Sequence, residues 1–315
     1  MKSQARVVVI GGGVVGTSTL YHLVKKGWSD VMLLETNELT SGSTWHAAGL
    51  LPLFNMSYSV GQIHKYSVNL YSNLEKDTGQ NVGLKKVSNI RLATNQDRMD
   101  EYRQYAGVAE TIGVNYEFLT PDEVVDIWPL AAKDNLIGAI RHPDDGYVQP
   151  ADLTQAFAKG ARAGGAEINL NTRVTAITRK GDEWVVTTDK GDITCEHVVS
   201  ATGNFARETG KMVGLDVPVI PVEHQYIVTD PHPEIEKRHQ EGKPEMGVLR
   251  ESDGSWYMRE ERGGLLLGPY EKGAPACYVN APDEDAKYEL FQEDMDRLMP
   301  HIESAMERVP AFGEV

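Results

Sequence analysis

The first forty residues alternate between short apolar runs and a helical pattern. Arg6 to Ile10 is a β-branched run that predicts a buried parallel strand. Apolar residues then recur with helical spacing from Leu20 to Val24, and Gly27 is suited to end a helix. A second apolar run, from Val31 to Leu34, predicts another strand. Strand, helix and strand in this order are typical of a parallel α/β sheet.

The rest of the chain departs from this rhythm. Helical spacing recurs over residues 59–79, 97–112, 121–128 and 151–165, and again near the end, from 297. Residues 83–94 predict a pair of strands with a turn near Ser88 and Asn89. Short strands separated by Lys-Gly turns follow between 166 and 203, and from Pro218 onward the pattern is strand-rich and antiparallel in character.

Charge and cysteine content exclude several classes of protein. The formal net charge of −15 speaks against binding to nucleic acid or to an anionic membrane surface, because both require a basic face. The two cysteines are far apart and indicate neither a disulfide framework nor a zinc site. No apolar run is long enough to span a bilayer, and the first residues contain no signal or transit pattern. We therefore expect a cytoplasmic protein.

A glycine motif lies between the first strand and the first helix. It reads G-x-G-x-x-G, at Gly11, Gly13 and Gly16. The first glycine of such a motif permits a tight turn, the second lets a diphosphate approach the backbone, and the third lets helix and strand pack closely. Glu35 ends the second strand, where a carboxylate accepts hydrogen bonds from ribose hydroxyls. The order and spacing of strand, glycine turn, helix, second strand and acid predict a dinucleotide-binding site. A purely structural glycine turn is the alternative.

The loop after Glu35 contains "TSGSTWHAAGL", in which small residues surround a tryptophan and a histidine. An NAD dehydrogenase of the ordinary kind has further strand–helix units at this point. Small side chains and free N–H groups let such a loop lie against a flat or anionic ligand. His46 has no acidic partner nearby in the sequence, and a loop histidine hydrogen bonded to the backbone is the alternative to a ligand-contacting one.

The run "GSTWHAAGL", placed after the glycine motif and its acid, resembles the dimethylglycine and sarcosine dehydrogenases, which are glycine-oxidase-like amine oxidoreductases that bind FAD. The chain most resembles dimethylglycine dehydrogenase. The likeness extends over essentially the whole chain, through "TGQNVGLKKVSNIRLAT", "DDGYVQPADLTQAFAKGARAGGAEI", "VPVIPVEHQYIVTD" and "GSWYMREERGGLLLGPYE". We predict an α/β fold in which an FAD-binding Rossmann-like domain (residues 1–83 and 144–216, incomplete at its C-terminal end) is interleaved with an antiparallel-sheet substrate domain (84–143 and 217–315).

The resemblance also assigns the cofactor residues. In the family, the histidine of this loop is joined covalently to the 8α-methyl group of the flavin, and the matching residue is His46. Val174 is expected near the adenine and Phe205 near the flavin, with ordinary core and loop positions as the alternative. The predicted FAD-binding residues are Gly11, Gly13, Val14, Val15, Gly16, Glu35, Thr36, Gly42, Ser43, Thr44, His46, Ala47, Ala48, Gly49, Leu50, Val174, Gly203 and Phe205.

Two later strands carry the candidate catalytic residues. In "PVEHQYIVT", alternation places His224 on one face with Tyr226, and the resemblance matches His224 to an active-site histidine; a core histidine is the alternative. Its expected task is to favour the neutral form of the substrate amine. In "SWYMRE", the resemblance implies an active-site tyrosine at Tyr257, with Met258 in the alternative register. Arg259 is expected to face the surface, and its second interpretation is a clamp for a substrate carboxylate.

The resemblance implies hydride transfer to FAD from an N-methyl group of dimethylglycine or a similar N-methyl amino acid. Oxygen or an electron-transfer flavoprotein is the expected electron acceptor. Sarcosine or another N-methyl amine is the alternative substrate, and a non-catalytic flavin-binding scaffold or electron-relay subunit is the alternative of another class. The chain stops after a helix-like pattern that closes no sheet, so we expect an N-terminal fragment. In the family, tetrahydrofolate binds to a C-terminal region that these residues do not include.

Overall fold

The computed structural model describes residues 1–314, which have the predicted mixed α/β fold. The strands are β1 (Gln4–Ile10), β2 (Val31–Leu34), β3 (Leu50–Leu51), β4 (Asn89–Ala93), β5 (Glu117–Leu119), β6 (Gly138–His142), β7 (Gly146–Tyr147), β8 (Glu167–Asn169), β9 (Val174–Lys180), β10 (Glu183–Thr188), β11 (Gly191–Ser200), β12 (Ile227–Val228), β13 (Val248–Glu251), β14 (Trp256–Glu261) and β15 (Gly264–Pro269). The helices are α1 (Val14–Lys25), α2 (Tyr58–Thr78), α3 (Gln96–Ile112), α4 (Pro121–Ile127), α5 (Pro150–Ala163), α6 (Ala206–Met212), α7 (Pro233–Gln240) and α8 (Met295–Arg308).

A six-stranded sheet carries the glycine motif. Its strand order is β8-β2-β1-β11-β10-β9; the first four strands are parallel, and β10 and β9 are antiparallel additions. The β-branched and aliphatic residues of β1 are buried on both faces, as a parallel strand between two layers requires. One face is covered by α1 and α5, through Leu20 and Phe157. Parallel pairing brings the carboxyl ends of β1, β2 and β11 to one edge of the sheet.

The other large sheet has seven strands. Its order is β12-β15-β14-β13-β4-β6-β5, and every neighbouring pair is antiparallel except β13 with β4. One face packs on α4, α7 and α8 around the fully buried Trp128, Trp256 and Met258. The other face carries Tyr257 and Leu266. Because side chains alternate along a strand, Tyr257 and Met258 face opposite sides of this sheet.

Two predicted strands differ from the structure. The predicted strand pair in residues 83–94 is wrong, because only β4 forms there, and its partners β6 and β13 come from later in the sequence. Lys85 forms an isolated bridge to Tyr147 instead. In "PVEHQYIVT" only β12 is paired as a strand, although exposure still alternates from Val222 onward. Apolar and polar alternation reports which face is solvated, but it does not identify a hydrogen-bonding partner.

Within residues 1–314, none of the helices combines the length and the apolar character that crossing a membrane requires. The same residues contain no cluster of three or more His, Cys, Asp or Glu side chains suited to a metal. Cys195 and Cys277 are both buried and unpaired. The division into the two interleaved domains given above stays a proposal.

Trp128 provides a test of the core of the seven-stranded sheet. It is fully buried, and its Nε1 donates a hydrogen bond of 2.7 Å to the carbonyl oxygen of Gly247. We expect Trp128→Ala to lower the free energy of unfolding by about 3–5 kcal/mol, because it removes packed apolar surface and leaves a cavity. Urea unfolding measures the change. Ile137→Ala, at a residue that is 44% exposed, is the control and should change stability by no more than about 0.5 kcal/mol; equal effects of the two changes would contradict the burial.

Candidate active site

A cavity of about 1310 Å³ lies at the carboxyl ends of β1, β2 and β11 and extends to β14 of the seven-stranded sheet. Its volume exceeds the roughly 300–1,000 Å³ of ordinary small-molecule sites. It therefore has room for a long ligand together with a second small molecule. The lining combines the glycine turn, the loop from Ser41 to Leu50, the chain after β11 and the segments before β12 and α8.

In the turn between β1 and α1, backbone atoms leave no space for a side chain at the first and third glycines of the motif. A Cβ at Gly11, where φ is +112°, would overlap the carbonyl oxygen of Ala201, and one at Gly16 would overlap the carbonyl oxygen of Gly11. Gly13 differs, because its φ is −74° and a Cβ there would meet only Thr44 Oγ1, at 3.1 Å. Since Gly13 lines the cavity, the space beside it is available to a ligand.

The start of α1 is suited to an anion. The first bond of the helix runs from the Thr17 N–H to the Gly13 carbonyl, so the preceding N–H groups have no partner within the helix. Of these, the Val14 N–H donates to Thr44 Oγ1 at 3.2 Å. The remaining N–H groups and the positive end of the helix dipole favour a phosphate at this position. The diphosphate of FAD fits this turn.

Glu35 holds the turn in place from the end of β2. Its Oε2 accepts a hydrogen bond from the Gly12 N–H at 2.5 Å, and its Oε1 accepts one from the Asn37 N–H at 2.8 Å. Burial raises the pKa of the Glu35 carboxyl above its ordinary value. Glu35 also lines the cavity, and each carboxylate oxygen can accept a second hydrogen bond, so a ribose hydroxyl has an acceptor here.

The loop that carries His46 is attached at both ends. The Tyr288 N–H donates to the Ser41 carbonyl at 2.9 Å, and at the other end Leu50 pairs with Tyr147. Trp45 stacks on His46 with ring centroids 4.8 Å apart and an interplanar angle of 15°. This attachment holds the imidazole beside the cavity that His46 lines.

His46 itself is half-buried and chemically available. Within residues 1–314 neither ring nitrogen has a hydrogen-bond partner, so the structure does not support a loop histidine bonded to backbone. Desolvation lowers the pKa of the His46 imidazole below its ordinary value. Desolvation therefore favours the uncharged ring, which has a nitrogen lone pair for bond formation.

His224 and Tyr257 line the same cavity from the side of the seven-stranded sheet. Burial raises the pKa of Tyr257 to about 12, so its hydroxyl stays protonated at neutral pH. The Arg250 guanidinium lies 5.5 Å from the centre of the Tyr257 ring. Met258 is fully buried in the core on the opposite face, which favours Tyr257 over Met258 as the residue in the cavity.

A buried carboxylate that the sequence analysis missed lies beside His224. The Glu271 side chain is 0% exposed, and its Oε2 lies 3.6 Å from His224 Nδ1. Its Oε1 accepts hydrogen bonds from Gln225 Nε2 at 2.6 Å and from Arg297 Nε at 2.9 Å. Gln225 and Arg297 also line the cavity. An acid two residues after the buried strand "GLLLGP" was the available signal for Glu271.

Most residues predicted from the sequence lie together around this cavity. Those that line it are Gly11, Gly13, Glu35, Thr36, Gly42, Ser43, His46, Ala47, Ala48, Gly49, Leu50, Val174, Gly203, Phe205, His224 and Tyr257. Those that do not line it are Val14, Val15, Gly16 and Thr44, which lie at the start of α1 or support it.

The expectation of a surface-facing Arg259 is wrong. Arg259 is 4% exposed, its guanidinium lies 4.2 Å from the centre of the Tyr147 ring, and it forms an ion pair of 2.6 Å with Glu261. The antiparallel neighbours of β14 and the Tyr147 ring cover it. Because Arg259 does not line the cavity, the clamp for a substrate carboxylate has no support either.

The chain is similar to known proteins over nearly its whole length. A family model described as FAD dependent oxidoreductase (DAO) matches residues 6–315. Mitochondrial dimethylglycine dehydrogenase of Rattus norvegicus is 42% identical over 99% of this chain and 36% of its own length. Mitochondrial sarcosine dehydrogenase of Mus musculus is 35% identical over 99% of this chain and 34% of its own. The mitochondrial pyruvate dehydrogenase phosphatase regulatory subunit of Mus musculus is 33% identical over 99% of this chain and 35% of its own length.

Among solved structures, L-proline dehydrogenase from P. horikoshii has a TM-score of 0.84 and 25% identity, and the match covers 100% of this chain and 79% of that one. The chain spans about a third of the length of the curated relatives named above. Their mitochondrial location contradicts the expected cytoplasmic one, which is wrong. Charge, cysteine content and hydropathy describe the folded chain and do not specify its compartment.

The two glycines of the turn provide a test that separates folding from ligand binding. We expect Gly11→Ala to destabilise the protein itself, because the new methyl group meets backbone at a positive φ. Gly13→Ala should leave the unfolding midpoint of the ligand-free protein unchanged and weaken FAD binding by at least about 10-fold, since the methyl group enters the ligand space. Fluorescence titration with FAD and thermal unfolding measure the two effects.

Gly107→Ala is the control for these changes. Gly107 lies inside α3 with open space around it, so alanine should stabilise the helix by about 0.5–1 kcal/mol and leave FAD binding unchanged. Unchanged FAD affinity in Gly13→Ala would show that no ligand approaches the backbone there.

Proposed function

The chain belongs to the family of FAD-dependent oxidoreductases, and we propose that it catalyses the oxidative N-demethylation of dimethylglycine or a similar N-methyl amino acid. The observation that carries the proposal is that one cavity joins the glycine turn and His46 to His224 and Tyr257. The higher identity to dimethylglycine dehydrogenase than to sarcosine dehydrogenase supports dimethylglycine as the substrate. The relatives are about three times longer, so the proposal concerns the whole protein of which these residues are part.

In the proposed arrangement, the chain holds FAD along the edge of the six-stranded sheet. The glycine turn takes the diphosphate, Glu35 accepts hydrogen bonds from the ribose, and Val174 lies near the adenine. The loop with His46 and the chain around Phe205 then contact the flavin ring. When bound, FAD supplies the oxidising power and takes a hydride from the N-methyl carbon.

We propose that a ring nitrogen of His46 is covalently bonded to the 8α carbon of the flavin in place of one hydrogen of that methyl group. The N–H and C–H hydrogens would leave as protons, and the two electrons would pass through the flavin to the electron acceptor. Two features support this: desolvation lowers the pKa of the imidazole and so favours its uncharged form, and neither of its nitrogens has another partner within residues 1–314. Stacking on Trp45 fixes the plane of the ring. Such a bond would make the flavin more electron-poor, which suits oxidation of an unactivated N-methyl group.

We propose that His224 acts on the substrate amine and that Tyr257 binds a substrate oxygen. Loss of hydride requires the neutral amine, and the imidazole of His224 can accept the proton of the ammonium form. The protonated hydroxyl of Tyr257 can donate a hydrogen bond to a substrate oxygen. The iminium product would release its one-carbon unit as formaldehyde or transfer it to tetrahydrofolate in a region outside these residues. Oxygen or an electron-transfer flavoprotein would take up the electrons.

A second candidate function is a flavin-binding scaffold without catalysis. The observation that favours it is the 33% identity to a protein named as a regulatory subunit of a phosphatase, over 99% of this chain. Sarcosine or another N-methyl amine remains the second substrate class, supported by the 35% identity to sarcosine dehydrogenase.

Acid precipitation of the purified yellow protein tests the covalent bond. We expect the flavin fluorescence to remain in the protein pellet, and His46→Ala to release it into the supernatant, because no other bond would hold the flavin in denatured protein. His197→Ala, at an exposed histidine of β11 outside the cavity, should behave like the unchanged protein. Flavin that leaves the unchanged protein entirely would contradict the covalent bond without contradicting FAD binding.

Anaerobic reduction of the bound flavin tests the activity. We expect dimethylglycine to bleach the yellow absorbance of the holoprotein, because its ammonium nitrogen can lose a proton and an N-methyl carbon can then give a hydride to the flavin. Trimethylglycine is the matched control: its quaternary nitrogen has no proton to lose, and it should cause no bleaching. If no N-methyl amine bleaches a fully flavin-loaded protein, the scaffold is the better account.

A further inference from the structure

We propose that Glu271 is a positioning residue for His224, and that it holds the imidazole with Nδ1–H toward the carboxylate and Nε2 free toward the cavity. The inference rests on the proposed function, in which His224 accepts the proton of the substrate ammonium. It adds a residue outside the cavity lining, which acts only through the histidine.

The carboxylate is buried with one oxygen unpartnered. Gln225 and Arg297 both donate to Oε1, whereas Oε2 has no hydrogen-bond partner within residues 1–314. A buried carboxylate oxygen without a donor is unfavourable. The Nδ1 atom of His224 lies 3.6 Å from Oε2, which is too long for a hydrogen bond and short enough for a small rotation to form one. The His224 side chain is 48% exposed and therefore has room to rotate.

The surrounding groups hold the Glu271 carboxylate in place. Arg297, which is 16% exposed, donates to it through Nε and balances its negative charge. Asp294 fixes both of these partners: its N–H and carbonyl bond to the Gln225 amide, and its Oδ2 lies 3.6 Å from Arg297 Nη1. A fixed carboxylate can select one orientation and one tautomer of a mobile imidazole.

The selected tautomer is the one that the chemistry requires. With its proton on Nδ1, the ring has its lone pair on Nε2, which can accept a proton from the substrate ammonium. The imidazolium that results then has a carboxylate beside it. In the opposite tautomer, Nε2–H would face the cavity and could accept nothing from the amine.

The ring nitrogens report this arrangement directly. In long-range ¹H–¹⁵N spectra of protein labelled at histidine, we expect His224, assigned by its loss in His224→Asn, to be mainly the Nδ1–H tautomer. Glu271→Gln should increase the Nε2–H form, because its amide can donate to Nδ1. A mainly Nε2–H histidine in the unchanged protein would overturn the proposal without any variant at Glu271.

Kinetics of the flavin-loaded protein provide the second measurement. We expect Glu271→Gln to lower kcat/KM for dimethylglycine by about 10-fold or more at unchanged flavin content. Glu271→Asp, which keeps the charge, should retain more activity than Glu271→Gln. A Glu271→Gln protein with a kcat/KM within about 2-fold of the unchanged protein and the same tautomer would contradict the role.

The chain contains a matched control in Glu260 and His239. The Glu260 carboxylate is also buried and lies 2.7 Å from a half-exposed histidine nitrogen, and neither residue lines the cavity. Glu260→Gln should leave both the His224 tautomer and kcat/KM unchanged. If the unchanged protein oxidises no N-methyl amine, the proposed function fails, while the tautomer measurement still decides whether Glu271 positions His224.

Discussion

The structure depends on a backbone contact that only glycine permits. The turn after β1 runs against Ala201 at the end of β11, and the first turn of α1 runs against Gly11, so Gly11 and Gly16 have no space for a side chain. This contact brings the start of α1 to the edge where three parallel strands end. The carboxylate of Glu35 then bonds to the turn itself. Close packing, a helix dipole and an acid thus meet at one place, and together they form the end of the cavity that we propose for the phosphates and the ribose.

The loop from Ser41 to Leu50 connects this end of the cavity to the other. Ala48 and Leu50 pack against the buried cluster that contains Tyr147 of β7 and Tyr257 and Leu266 of the seven-stranded sheet. His46 is therefore held between the sheet that carries the glycine turn and the sheet that carries Tyr257. A loop of small residues can occupy this position because bulky side chains would fill the ligand space, and the two rings it does carry stack on each other.

Some of these features could be predicted from the local sequence alone. The unit from β1 to β2, including Gly11 and Glu35, lies within 35 consecutive residues, so its spacing could be interpreted without any knowledge of distant contacts. The pairing of β4 could not be predicted in this way, because its partners β6 and β13 come from later in the chain. His46, His224 and Tyr257 were singled out by resemblance and lie in the cavity. Glu271 was missed because its meaning depends on a histidine that is distant in sequence, and Arg259 was misplaced because its cover comes from Tyr147.

The central claim is that one flavin spans the cavity from the glycine turn to His46. An experimental structure of the protein isolated with its flavin tests this most directly. The account predicts density for the diphosphate over Gly11 and Gly13, and continuous density between a ring nitrogen of His46 and the 8α carbon of the flavin. A flavin ring that lies away from His46, or a diphosphate bound elsewhere than the start of α1, would contradict it.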